Sequence, residues 1–372
     1  MHFRDRALAT ETGEDVRELA IKADPAGAAA TVKVEEGLTP ALDAAAEAAD
    51  SRHAFLRRAW FAAAPSHAPV TLVARRPGGT VVAAIPVGRA GPKIAGLRAV
   101  PGCYWPYRSF PVAADAEDAE IAALLSDPAA RRALGPAWRL GPVYADDPTL
   151  ARLRRAAPAG GWTILERRLG SAFRFDMAAL RAAGQWPRTS TLRKNRYFEK
   201  HLSSAGPLDF QFVTGSGWTA DVFDTLASVE ANSWIPAETG GADAKFLAPH
   251  HRAVWEAAAQ DPKLAAMLHA AILTIGGRPA AFAFDLDCGA VKYAIANSYD
   301  EAFAQHSPGR VLAYRSLPAA AERGIEEVDW GAGDSGYKRT LGAVEGPAIL
   351  DLLLVRSPLA AAVMRPLWSR RH

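Results

Sequence analysis

An α/β fold built from two copies of one unit is what this sequence predicts, and two observations carry it. Helical and strand-like patterns alternate along the 372 residues, with 49% hydrophobic and 22% charged positions. Two hairpin signals also recur, TLVARRPGGTVVAAIPV from Thr71 and AILTIGGRPAAFAFDL from Ala271, about 200 residues apart and each after a helical stretch.

The elements follow in order. Residues 1–30 lack a clear period and read as a loose tail, residues 31–175 as a first domain and residues 176–372 as a second. From Pro40 a helical period runs through Leu42, Ala45 and Ala46 to Phe55 and Trp60, and Pro65 ends it. Val70 to Ala74 and Val81 to Val87 are strands around Pro77-Gly78-Gly79. Pro101 to Pro111 is aromatic and proline-punctuated, a loop or edge strand. One helix is expected from Ala116 to Leu134, a strand over Trp138–Val143, a helix over Thr149–Ala156 and strand again from Trp162 to Phe175. The second half opens with a basic stretch, Arg181 to His201, then a strand (Leu208–Val213) and two helices (Ala220–Trp234, Phe246–Gln260). Its hairpin turns at Gly276-Gly277, and a strand over Ala290–Asn297 follows. Ser307-Pro308-Gly309 opens a helix that Gly324 stops, with Pro318 expected to kink it. Ile325–Trp330 and Ala348–Val355 are the last strands.

Composition excludes several classes. A net charge of +3 is too small for a nucleic-acid binder, so no DNA partner is expected. Two cysteines, Cys103 and Cys288, build no disulfide framework and read as free thiols of a reducing compartment. Met1 to Thr10 has no apolar export core, and no uncharged run reaches the ~18–20 residues that span a bilayer, which points to the cytoplasm. The histidines have no metal-ligand spacing, so no metal is expected. Pro358 to Trp368 is apolar and Ser369-Arg370-Arg371-His372 basic, the pattern of a segment lying on an anionic inner-membrane surface or of a helix docked on the core.

The chemistry concentrates in the second half. Ser307 is a good N-cap, Pro308 suits the first helical position, and Gly309 lets a ligand come close. The N–H groups of Gly309, Arg310 and Val311, with the arginine charge, make a candidate diphosphate site at the helix start. Glu230 lies on an apolar helix face, as a buried base or as a capping or solvated acid. Asp334 and Lys338 flank a glycine-rich turn, as charge-handling groups or as a loop salt bridge. Tyr337 and Tyr293 are either proton donors or packing aromatics, and Asp285 either faces a cleft or ends its strand.

The order of these motifs resembles the GNAT-like acyltransferases of the cellulose-biosynthesis CelD type, relatives of the FemABX peptidyltransferases. The resemblance rests on Asp300-Glu301-Ala302-Phe303, Ser307-Pro308-Gly309 and Gly333-Asp334-Ser335-Gly336-Tyr337-Lys338, with Glu230 and Trp234 as an upstream Glu–x–x–x–Trp and the basic Leu192-Arg193-Lys194-Asn195-Arg196. It implies two tandem GNAT-like folds, each a mixed, mostly antiparallel sheet flanked by helices, of which only the second binds acyl-CoA. It implies N-acyl transfer by direct attack of an amine on the thioester, with the pyrophosphate on Ser307, Gly309, Arg310 and Val311. Glu230, Asp334, Lys338 and Tyr337 would be catalytic, and Trp234, Asp285 and Tyr293 would meet substrate. The acceptor would be an amine on a lipid, such as a sphingoid long-chain base giving ceramide, or on an envelope sugar precursor. Two other readings stay open: an aminoacyl-tRNA-dependent peptidyltransferase, disfavoured because no long helical arm is visible, and an inactive subunit of a polysaccharide-synthesis complex.

Overall fold

The computed structural model describes residues 30–63, 67–91, 96–102, 108–333 and 336–369. Cys103, Asp334, Arg370 and Arg371 lie outside them. The first half runs β1 (Thr31–Glu36), α1 (Ala41–Ala48), α2 (Arg58–Ala62), β2 (His67–Arg75), β3 (Val81–Arg89), β4 (Arg98–Ala99), α3 (Asp118–Ser126), α4 (Pro128–Leu134), β5 (Ala137–Tyr144), α5 (Pro148–Ala159) and β6 (Thr163–Asp176). The second runs α6 (Met177–Ala182), α7 (Thr189–Leu202), β7 (Leu208–Val213), α8 (Ala220–Ala231), α9 (Trp234–Thr239), α10 (Pro249–Ala259), α11 (Pro262–Met267), β8 (Leu268–Ile275), β9 (Arg278–Cys288), β10 (Val291–Tyr299), α12 (Pro308–Glu322), β11 (Glu327–Ala332), α13 (Tyr337–Leu341), β12 (Val344–Val355) and α14 (Pro358–Trp368).

Among the described residues twelve strands join one mixed sheet, in the order β1-β2-β3-β4-β5-β12-β6-β11-β10-β9-β8-β7. Adding six to each strand of the first half gives its counterpart in the second, read from the opposite edge. The directions obey the same rule: β4–β5 and β10–β11 are parallel, and the hairpins β2–β3 and β8–β9 are antiparallel. At the centre the sixth strands are exchanged. β12 pairs with β5 of the first half, β6 pairs with β11 of the second, and β6 and β12 pair with each other. The expected division after Phe175 thus falls at the end of a strand whose neighbours both belong to the second half.

Local chemistry explains where the expected elements shift. The helix expected from Pro40 to Trp60 breaks into α1, a 3-10 turn (Ser51–His53) and α2, because the Asp50 carboxylate captures the Arg52 N–H at 3.0 Å. The helix expected over 116–134 is two, since Asp127 accepts from Ala129 and Ala130 N–H and starts α4 afresh. β1 was invisible to the helical reading, although Thr31-Val32-Lys33-Val34 alternates as an edge strand should. Pro318 sits inside α12, which continues to Glu322. One hydrophobic cluster spans both halves. The Phe55 ring lies 4.8 Å from Trp60 and 6.0 Å from Tyr293 of β10, and Trp60 lies 6.1 Å from Trp255 of α10. Each such ring removed from water contributes about 1.5–3 kcal/mol. Cys288 closes the same seam: its thiol donates to the Ser51 carbonyl at 2.9 Å, and burial pushes it up to about 11, too high for a nucleophile.

Candidate functional site

The site begins where two parallel strands part. β10 pairs with β11 only over Val291–Tyr293 and Glu327–Asp329. Beyond that, β10 carries a bulge between Ala294 and Ala296 and runs on to Tyr299 along β9, while β11 leans toward β6 at Ala332–Ala172. The C-terminal ends of the two strands therefore stand apart, with backbone groups on their facing edges unpaired with each other. In α/β sheets ligands enter at such ends. A cavity of about 430 Å³ opens there, lined by Asp285, Asn297, Ser307, Gly309, Arg310 and Tyr337 among others.

α12 aims its start at this cavity. Asp300, at the end of β10, accepts from Ala302 N–H at 2.9 Å and pairs with Arg278, which fixes the 3-10 turn Glu301–His306 ahead of the helix. The turn delivers Ser307 with φ 48°, a left-handed conformation that costs a non-glycine residue about 1 kcal/mol or more. Ser307 holds the N-cap position as expected, but in that conformation its hydroxyl makes no cap hydrogen bond. Arg310 N–H and Val311 N–H both donate to the Ser307 carbonyl, at 3.0 and 3.1 Å. Val311 is buried in the core with Leu202 and Leu312, away from the cavity. Of the three amides expected to bind an anion, only Gly309 N–H is without a partner among the described residues.

Arg310 supplies the charge, and a residue that sequence reasoning passed over positions it. Asn195 of α7 is 5% exposed; its Oδ1 accepts from Arg310 Nε at 3.3 Å, and its buried Nδ2 has no partner among the described residues. Its signal was faint: a lone amide inside Arg193-Lys194-Asn195-Arg196, at the helical position that faces α12. Outside it, Arg193, Lys194, Arg196 and Lys200 present an exposed cationic face.

The acid–base groups sort by environment. Lys292 Nζ sits 3.1 Å from Asp285 Oδ2 and 2.6 Å from Asp287 Oδ1. Burial works against both carboxylates. Lys292, His269 and Arg323 overcome it at Asp287, which is held below the usual range. At Asp285 burial prevails and the carboxyl is raised. His269, beside Asp287, is pushed down by burial to about 4 and is neutral. Asp285 therefore faces the cavity as the more basic member of the pair. Across from it the Tyr337 hydroxyl accepts from Asn297 Nδ2 at 3.1 Å, and burial, with the Asp285 charge, raises its pKa.

The other expected residues lie elsewhere. Glu230 is 0% exposed, at the end of α8, and its carboxylate accepts from the backbone N–H groups of Lys245 (2.9 Å), Phe246 (2.7 Å) and Leu247 (2.8 Å). It anchors the loop before α10 and does not reach the cavity. Trp234 opens α9, also outside the cavity lining. Tyr293 points to the opposite face of the sheet, onto Phe55. Lys338 Nζ donates to the carbonyls of Trp330 (2.8 Å) and Ala332 (2.7 Å), tying the glycine-rich loop to β11. Asp334 falls outside the described residues. Among those residues no group of three or more His, Cys, Asp or Glu is arranged to hold a metal.

No curated protein matches the chain. Solved structures are similar in fold at low identity. The C-terminal domain (DUF2156) of a putative lysylphosphatidylglycerol synthetase from Agrobacterium fabrum is 16% identical, with TM-score 0.51 over 88% of this chain and 94% of that one. L-PGS from Bacillus licheniformis is 13% identical, with TM-score 0.53 over 91% and 100%. FemX is 13% identical, with TM-score 0.52 over 79% and 90%. The segment from α7 to the start of α13, residues 189–339, matches the family model of the acetyltransferase (GNAT) domain, and the parting strands, the open helix start, Asp285 and Tyr337 all lie within the segment that is similar to that domain.

Proposed function

We propose that the chain is an acyl-CoA-dependent N-acyltransferase whose acceptor amine is carried by a lipid or an envelope precursor, in the manner of the CelD-type group and its ceramide-forming members. The observation that carries the reading is the parting of β10 and β11 over the start of α12. An extended amide-bearing arm fits between strand edges that no longer pair, and a diphosphate fits Gly309 N–H, Arg310 and the Asn195 amide. Asp285 takes a proton from the acceptor ammonium. The free amine attacks the thioester carbonyl, the carbon–sulfur bond breaks, Tyr337 gives its proton to the departing thiolate, and the proton shed by the acylated nitrogen returns to Tyr337. The raised pKa of Asp285 suits the first task, and the hydrogen bond from Asn297 holds Tyr337 for the second.

Native mass spectrometry of the purified protein tests the donor. A retained CoA thioester is expected, its acyl mass naming the chain. Gly309→Val tests the place. A Cβ added at Gly309 has only Tyr299 Cδ1 within 4 Å, at 3.6 Å, an ordinary van der Waals contact. CoA bound as tightly by this variant as by the parent, measured by calorimetry, would put the diphosphate elsewhere.

A further inference from the structure

A second surface, remote from the α12 cavity in sequence, joins two features. The first is α14. Ala361 packs onto Leu165, Leu353 and Val355, and Met364 and Trp368 complete that contact. The opposite face is apolar as well: Leu359 is 82% exposed, Val363 70% and Leu367 59%. Spaced by four, these residues form one ridge along the helix. Exposed Arg356 and Arg365 flank the ridge, Arg370 and Arg371 follow it in sequence, and no acidic residue occurs between Arg356 and His372.

The second feature is a cavity of about 1020 Å³ in the first half, lined by Arg89, Arg98, Arg132 and His67. None of the three arginine side chains has a hydrogen-bond or ion-pair partner among the described residues. The cavity and the helix are contiguous. Leu97 lines the one and packs on the cluster of Leu165, Leu353, Val355 and Ala361 that seats the other, and Arg356 N–H donates at 3.1 Å to the carbonyl of Pro136, next to Gly135 of the cavity wall.

We propose that α14 and the arginine cavity together form a docking surface for an anionic bilayer, with the ridge of Leu359, Val363 and Leu367 in the acyl boundary and a lipid phosphate held by Arg89, Arg98 and Arg132. A bilayer presents an apolar layer beneath an anionic one, and this edge presents an apolar ridge beside cations that have no partner among the described residues. A second copy of the chain fits less well, because a two-fold contact would face these arginines with their own kind. The helix is too short to cross, so the contact is peripheral and reversible. For its purpose the proposal rests on the lipid-acceptor reading, since it states how the enzyme meets an amine that never leaves the membrane.

The test uses the full chain and vesicles of phosphatidylcholine with and without phosphatidylglycerol. The parent should co-sediment with the anionic vesicles and release as salt rises. The triple variants Leu359→Ser/Val363→Ser/Leu367→Ser and Arg89→Glu/Arg98→Glu/Arg132→Glu should each weaken that binding by roughly tenfold or more. Both should keep CoA affinity and turnover on a short soluble amine, which shows that they fold. Equal sedimentation of parent and both variants overturns the proposal. So does a parent dimer that the leucine variant dissolves on size exclusion, since a second copy would then cover the ridge. Vesicle binding as expected, with no turnover on any amine, overturns the acyltransferase reading and leaves the docking surface supported.

Discussion

The two halves of the sheet cross between parallel strands at matching places, and they dress the crossing helix differently. From β4 to β5 the chain passes through α3 and α4. Glu120 accepts from Glu117 N–H at 2.8 Å and is itself held by Arg76, and Asp127 takes the first amides of α4. The strand pairing continues past β4, with Val100 N–H on the Arg139 carbonyl and Arg108 N–H on that of Pro142. From β10 to β11 the chain passes through α12, whose start has no side-chain cap and carries a glycine and an arginine, and the pairing stops at Tyr293 and Asp329. One unit spends its helix-start amides on its own carboxylates and closes its strands. The other leaves the amide free and the strands apart. Forgoing the cap costs about 1 kcal/mol, a cost that structure alone does not explain and a bound anion would.

Four substitutions test this contrast. Asp285→Asn should have the largest effect, lowering turnover by about 10²–10⁴. In the parent, kcat/KM should fall on the acid side as pH drops through the raised Asp285 pKa, because the base must be deprotonated. That limb should vanish in the variant. Glu230→Gln replaces an oxygen that accepts backbone N–H groups with a donor. It should lower stability by about 1–3 kcal/mol in chemical denaturation while turnover per folded molecule stays near normal. Arg310→Ala should weaken CoA binding by about tenfold in calorimetry, and the loss should shrink at high salt. Glu117→Ala, at the closed helix start, should cost at most about 1 kcal/mol of stability and leave CoA affinity unchanged. An effect of Glu117→Ala on CoA as large as that of Arg310→Ala would erase the distinction between the halves.

The hairpins were legible because their signal is local: alternating apolar residues around Pro77-Gly78-Gly79 and Gly276-Gly277. Their recurrence correctly indicated two copies of one unit. The strand exchange was not legible, since nothing near Val344 to Val355 says that its partner lies at Ala137 to Tyr144. The site divides in the same way. The placement of Gly309 and Arg310 at a helix start was readable from Ser307-Pro308-Gly309. The left-handed backbone of Ser307 was not, because the turn capped by Asp300 imposes it. Glu230 on an apolar face looks the same in sequence whether it meets a substrate or the amides of a loop fifteen residues on. Lys338 was similarly opaque: only the path of β11 shows that the carbonyls of Trp330 and Ala332 take its charge.

The exchanged strands also dictate an order of assembly. β5 and β6 follow each other along the chain, yet in the finished sheet β12 lies between them, paired with both along most of its length. The ribosome makes β12 about 180 residues after β6. Throughout that interval β5 and β6 each carry an edge whose proper neighbour does not yet exist. Native closure of the first half therefore waits for the synthesis of β12 and carries the slow kinetics of distant strand pairing. A nascent chain that zips β5 directly onto β6 shuts the slot that β12 must enter, so a chaperone that holds those two edges apart would speed folding more than one that shields the core.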